Sequence, residues 1–127
     1  MIRVGIVDDH AIVRVGLRNF LAEQVDVRVV GEAANGREAI DLARTTEMDV
    51  MLMDLSMPGQ GGIDALAMIR AKAPDVGILV LSIYPEEHYA MNLIRQGARG
   101  YLNKECDPLE IVDAIRTIAL GKRYFSA

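Results

Sequence analysis

The chain reads as one three-layer α/β domain built on a parallel sheet, and three features of its sequence point there. Short β-branched or apolar runs alternate with longer segments of helical period, strand then helix, five times over. Two of the runs, Val50 to Met53 and Ile78 to Leu81, are apolar throughout, as strands are when helices cover both faces of a parallel sheet. No repeat, low-complexity tract or linker interrupts the 127 residues, and a hydrophobic content of 51% suffices for one core. Right-handed crossovers between successive strands then give a doubly wound, five-stranded parallel sheet.

Taken in order, the strands are expected at Arg3 to Val7, Val27 to Gly31, Val50 to Met53, Ile78 to Leu81 and Gly100 to Leu102. Helical patterns follow them near residues 12–23, 36–46, 63–72, 86–96 and 108–120. The fifth helix has the clearest ends. Asp107 suits the N-cap, Pro108 the first helical position, Glu110 would complete a capping box, and Gly121 can stop the helix. Methionines such as Met51, Met53 and Met68 read as core filling rather than as a binding patch.

The polar residues fall at one end of this plan. Asp8 and Asp9 follow the first strand, Asp54 the third, Ser82 the fourth and Lys104 the fifth. In an open sheet of order 2-1-3-4-5 the ligand crevice lies outside the carboxyl ends of the strands, at the switch point between strands 1 and 3. Asp8, Asp9 and Asp54 would meet there. Like charges brought together out of water repel unless a cation compensates them, and an all-oxygen carboxylate set suits Mg²⁺ or Mn²⁺. Seen singly, Asp9 reads as a helix cap, Asp54 and Ser82 as turn formers, and Lys104 as a solvated charge. Their shared position at the same ends of four strands favours a site. His10, an imidazole beside the acids, is a poor Mg²⁺ ligand and is assigned a structural or surface role; His88 is assigned to solvent.

Composition narrows the function classes. A net charge of -4 gives none of the basic excess that binding to a phosphate backbone needs. The lone Cys106 excludes an intramolecular disulfide and reads as a loop thiol without function. No apolar run approaches the roughly 20 residues of a membrane span and no signal-peptide pattern opens the chain, so no membrane association and a cytoplasmic setting are expected.

The joint pattern of Asp8-Asp9, Asp54 with Met57-Pro58 and Gly62, Ser82, and Gly97-Ala98-Arg99-Gly100-Tyr101-Leu102-Asn103-Lys104 resembles the receiver domain of two-component response regulators, which has a flavodoxin-like (βα)5 fold. The resemblance covers residues 1–127 as one receiver domain. Asp8-Asp9-His10, Lys104-Glu105 and the ending Gly121-Lys122-Arg123-Tyr124-Phe125-Ser126 are further similar to the NarL/FixJ subfamily, whose members continue into a LuxR-type helix-turn-helix DNA-binding domain. Such a domain is expected beyond residue 127, outside this chain.

The resemblance implies roles residue by residue. Asp54 would accept a phosphoryl group from a phosphohistidine on a sensor histidine kinase. Asp9 and Asp54 would ligate Mg²⁺ with the backbone carbonyl of Ser56, and Asp8 would act through a metal-bound water. Lys104 and Ser82 would hold phosphoryl oxygens, and Tyr101 would be the switch aromatic, rotating inward after Ser82 is drawn to the phosphoryl group. The domain would promote only its own phosphorylation and dephosphorylation and would not be a turnover enzyme. Departures are Gly61 and Ile83, where the family more often has Asp and a smaller residue, and Glu105, where it often has proline. Ser56 and Tyr84 hold positions that tune phosphoryl lifetime.

A homodimer formed on phosphorylation is expected through helices 1 and 5. There, Ile111, Ala114, Ile115, Ile118 and Ala119 form an apolar arc wider than core packing needs, and Val15 lies off the core stripe of Val13, Leu17 and Phe20. Rival readings are a stand-alone receiver that signals by docking, a haloacid-dehalogenase-type aspartyl phosphatase, and a flavin module. The phosphatase would need an acid where His10 stands, and the flavin module a Ser/Thr-rich loop where Ala11-Ile12-Val13-Arg14 stands.

Overall fold

The computed structural model describes residues 1–54, 62–82, 93 and 95–125, with the side chains of residues 62 and 63 excepted. Its elements run β1 (Ile2–Val7), α1 (Ala11–Ala22), β2 (Val27–Ala33), α2 (Gly36–Thr45), β3 (Val50–Asp54), α3 (Gly62–Lys72), β4 (Gly77–Ser82), β5 (Gly100–Asn103), α4 (Pro108–Ala119) and β6 (Tyr124–Phe125). Helix α4 is thus the fifth helix of the sequence pattern. Most of the expected fourth helix lies outside the described residues, as do Ser56, Met57-Pro58, Gly61, Ile83, Tyr84 and His88.

All pairings are parallel, in the order β2-β1-β3-β4-β5-β6. The 2-1-3-4-5 order holds, and a sixth strand extends the edge. Sequence pattern cannot show a strand of two residues. It forms because Tyr124 donates its N–H to the carbonyl of Arg99 (2.8 Å) and its phenol to Glu110 Oε1 (3.2 Å).

Alternating residues of the central strands supply two cores. Val50 and Leu52 join Val4, Ile6, Leu79, Leu81 and Leu102 beneath α1 and α4, whereas Met51 and Met53 join Val7, Ile78, Val80 and Tyr101 beneath α2 and α3. A period of two on strands buried from both sides requires this division. Gly77 and Gly100 form the floor on which α4 lies closest. A Cβ on Gly100 would stand 2.9 Å from Ile118 Cδ1 and 2.8 Å from the Tyr124 carbonyl, and one on Gly77 would strike Ile118 Cγ2.

Helix ends follow the sequence with one exchange. Asp107 caps α4 through Leu109 N–H (2.9 Å) with Pro108 inside the first turn. Gly121 stops it at φ 86°, where Lys122 N–H reaches the Thr117 carbonyl and Gly121 N–H that of Ile118, a Schellman closure. Glu110 forms no capping box, because its carboxylate is taken by Tyr124. The reciprocal cap appears at α2 instead: Asn35 accepts from Glu38 N–H (2.9 Å) while Glu38 accepts from Ala34 N–H (2.9 Å).

Three expectations of burial change. Met68 is 40% exposed and does not fill the core. On α4, Ile111, Ala114, Ile115 and Ile118 are all buried, together with Val112, so the arc is core and only Ala119 of that set faces out. Tyr101 is buried, 1% exposed, so in this structure the inward position is already filled. No described helix is long and apolar enough to cross a membrane.

Candidate functional site

The ends of four strands bring the expected polar residues together. Asp54 is the last residue of β3 and pairs in register with Leu81, which puts Ser82 one step further along β4 and beside Asn103 of β5. Lys104 follows at once, its N–H held by the Ser82 carbonyl at 2.9 Å. On the other side, Asp8 extends the β1 ladder through an N–H bond to the Ala33 carbonyl (3.0 Å). Parallel pairing of β1 and β3, Val7 opposite Met53, then sets Asp8 across from Asp54.

Both carboxylates are buried, Asp8 at 2% and Asp54 at 1% exposure, and Ser82 is fully buried. A buried charge without a partner costs several kcal/mol, so the site is stable only with counter-charge inside it. Lys104 supplies that: its Nζ lies 3.2 Å from Asp8 Oδ2 and 3.0 Å from Asp54 Oδ2. Burial pulls the Lys104 ammonium toward neutrality, but hydrogen bonding and charge from Asp54 and then Asp8 outweigh it and raise its pKa above the ordinary value.

Asp9 does not cap α1; His10 holds the N-cap position and its side chain makes no capping bond. Its imidazole instead faces the acids, Nδ1 standing 3.1 Å from Asp8 Oδ1 and 3.0 Å from Asp9 Oδ1, while its backbone N–H donates to Asp8 Oδ1 at 2.9 Å. Arg14 adds a contact absent from the sequence reading, donating Nη1 to the Asp8 carbonyl at 2.6 Å. Nothing in the spacing announces it, because it depends on how α1 turns back over the end of β1.

The donor set fits a hard cation. One ligating atom from each of Asp8, Asp9, His10 and Asp54 lies within 4.8 Å of every other. Asp9 Oδ1 is buried without an acceptable hydrogen-bond donor among the described residues, only the imidazole nitrogen standing near it. A buried carboxylate oxygen with unused lone pairs beside two further carboxylates suits an oxygen-seeking divalent ion.

Comparison with known proteins agrees with this geometry. The model of the response regulator receiver domain matches residues 4–116. Response regulator UvrY of Escherichia coli strain K12 is 42% identical over 127 residues, all of this chain and 58% of that protein. Response regulator GacA of Pseudomonas aeruginosa is 40% identical over 126 residues, 99% of this chain and 59% of that protein. The chain therefore spans a little under three fifths of the curated relatives it matches.

Among solved structures, a two-component response regulator of the LuxR family from Aurantimonas sp. superposes with a TM-score of 0.92 at 40% identity, covering 98% of this chain and 89% of that one. The isolated receiver domain of RcsB from Salmonella enterica, in the presence of the phosphomimetic BeF3-, superposes at 0.87 with 28% identity, covering 98% and 93%. With the strand order, the acid crevice and a family match over residues 4–116 in agreement, the chain belongs to the response regulator receiver domain family.

Proposed function

We propose that Asp54 is the phosphoacceptor of this receiver domain and takes its phosphoryl group from a phosphohistidine on a sensor histidine kinase. One observation carries the reading: a buried Asp54 at the end of β3 with Lys104 Nζ at 3.0 Å and bound equally to Asp8 at 3.2 Å. An Asp54 carboxylate oxygen attacks phosphorus and the O–P bond forms as the P–N bond breaks. The electron pair stays on the imidazole nitrogen of the kinase. Transfer of this kind is catalysed mainly by positioning and charge neutralisation.

The residues divide that work. The strand end fixes Asp54 beside Asp8, and Lys104, already between the two carboxylates, pairs with a phosphoryl oxygen. Ser82, at the adjacent strand end, donates its hydroxyl to another. His10 and Arg14 orient Asp8, one through its side chain and the other through its carbonyl. Asp8, Asp9 and Asp54, with the Ser56 carbonyl that the family resemblance adds, would hold Mg²⁺, or Mn²⁺ in its place. Bound there, the ion supplies positive charge against the acids and the incoming phosphoryl oxygens.

The domain modifies itself and is not a turnover enzyme. The output is transcription regulation through a LuxR-type DNA-binding domain outside this chain, in a cytoplasmic setting. The greater length of UvrY and GacA and the LuxR-family Aurantimonas relative support this. With Mg²⁺ and acetyl phosphate, intact-mass measurement should show a gain of one phosphoryl group, abolished in Asp54→Asn. Unchanged labelling of that variant sinks the assignment, and sustained phosphate release would favour the phosphatase reading.

A further inference from the structure

The face opposite the acid crevice, where the strands begin, carries a second charged cavity. It has a volume of about 420 Å³, and Arg70, Arg95, Arg99 and Arg123 line it with no acidic residue among its walls. Among the described residues Arg28 and Arg37 likewise pair with no carboxylate, but they stand singly, whereas these four guanidinium groups gather in one cavity of a chain whose net charge is -4. Arg3, Arg14, Arg18, Arg44 and Arg116 each pair with a carboxylate at 2.7 to 3.5 Å. Among the described residues, the four arginines of the cavity have no such partner.

Helix ends explain part of the cluster. Helices α3 and α4 and the helical residues before Gly97 all finish on this face, and basic side chains stabilise helix C-termini. The magnitudes show that this is insufficient: three helix ends carry about -1.5 charges together against four permanent guanidinium charges, so a surplus of roughly 2.5 positive charges remains.

The backbone also holds two of the arginines in place. The positive-φ glycines of the described chain, Gly97 at φ 102° and Gly121 at φ 86°, both line the cavity. A Cβ on Gly97 would stand 2.7 Å from Arg70 Cδ, so the missing side chain is what lets Arg70 lie across that turn and donate to the Pro74 carbonyl at 3.2 Å. Gly121 accepts Arg99 Nη1 at 3.4 Å. Both arginines keep further N–H donors for a ligand.

We propose that this cavity is a binding site for a small phosphorylated anion carrying one or two phosphoryl groups. One phosphoryl group brings roughly 1.5 to 2 negative charges, so one is accommodated within the surplus and a second brings the total past it, and planar guanidinium forks suit phosphoryl oxygens in pairs. No aromatic residue lines the cavity, so recognition rests on the phosphoryl groups and not on a stacked base. The site shares no residue with the acid crevice and does not depend on the chemistry assigned to it.

The test is titration of the 127-residue chain with inorganic pyrophosphate in Mg²⁺-free buffer of low ionic strength, followed by amide resonances. Gly97 and Gly121 should shift saturably, and inorganic phosphate should act at the same amides at least tenfold more weakly. Kd for pyrophosphate should rise tenfold or more in the Arg95→Gln/Arg123→Gln double variant and stay unchanged in Arg28→Gln/Arg37→Gln, whose arginines are exposed elsewhere. No saturable shift at the two glycines, or equal affinity in the first double variant, overturns the proposal. So does a short DNA duplex that shifts the same amides and is not displaced by pyrophosphate, since the cavity would then serve a nucleic-acid backbone.

Discussion

Lys104 holds two buried carboxylates in check with one ammonium, so the acids remain under-compensated until more positive charge enters. Millimolar Mg²⁺ should therefore raise the melting temperature, by the equivalent of about 0.4 to 1.4 kcal/mol at one to ten times Kd. Removing the ammonium in Lys104→Ala should destabilise the free protein by about 1 to 3 kcal/mol and enlarge the Mg²⁺ effect. Equal Mg²⁺ shifts in both proteins would show that the ion binds away from these acids. A different dependence belongs to Asp49, whose carboxylate accepts from Arg3 N (2.8 Å) and Nε (3.2 Å). The hydrogen bond from the Arg3 guanidinium, outweighing burial, holds its pKa below the ordinary 3.8. A depressed carboxylate stabilises the fold above its unfolded pKa and loses that contribution as pH falls through the folded one. Urea midpoints should thus show Asp49→Asn weaker than the parent at pH 6, with the gap narrowing as the pH falls below 3.8 and through the depressed folded-state pKa.

Among the elements, β6 and α4 depend on one another through Gly100. A methyl group there would meet both the Tyr124 carbonyl and Ile118. Gly100→Ala should release Tyr124–Phe125 from the sheet edge, read as faster amide exchange at Tyr124 while Val50 and Leu79 stay protected. Loss of protection across the whole sheet would mean that the contact with Ile118 dominates. Ile118→Ala should cost about 2 to 5 kcal/mol, as for any large aliphatic removed from a packed core. Ile118, 4% exposed, is therefore no probe of an outer surface.

For the whole molecule, the two-fold contact expected through the first and fifth helices of the sequence pattern would have to use what α1 and α4 leave outside. Both helices cover the same face of the sheet, and the large apolar residues exposed on them are Ile12 (80%), Val15 (37%) and Leu109 (61%), with Leu120 (75%) at the C-cap of α4. A standard interface needs about 800 Å² from each partner. Sedimentation of the Mg²⁺ and beryllofluoride complex should show dimers that Val15→Asp with Leu109→Asp converts to monomers. Dimers that persist in this variant would move the contact to another face, such as that of β5. In a longer protein a two-fold pair would bring two DNA-binding domains to a symmetric site.

Much of this was legible before any coordinates. Apolar runs of strand length, helical periods between them and turn residues at Asp107 and Gly121 are local signals, and local propensity agreed with the fold at each. Acids and a lysine after four such strands sufficed to place Asp8, Asp54, Ser82 and Lys104 at one end of a parallel sheet, because that end is a property of topology. Pairing and facing were not legible. Which carboxylate meets Lys104, that His10 and Arg14 turn onto Asp8, and that Glu110 leaves its own helix end for Tyr124 depend on residues distant in the chain. The same holds for the apolar arc of α4. Helical period counts apolar positions, but only the glycine floor at Gly77 and Gly100 lets the helix sink far enough to bury Ile111, Ala114, Ile115 and Ile118 together. The arginine cavity shows the limit most plainly: Arg70, Arg95, Arg99 and Arg123 are scattered surface charges along the chain and become one site only where three helices end on the same face.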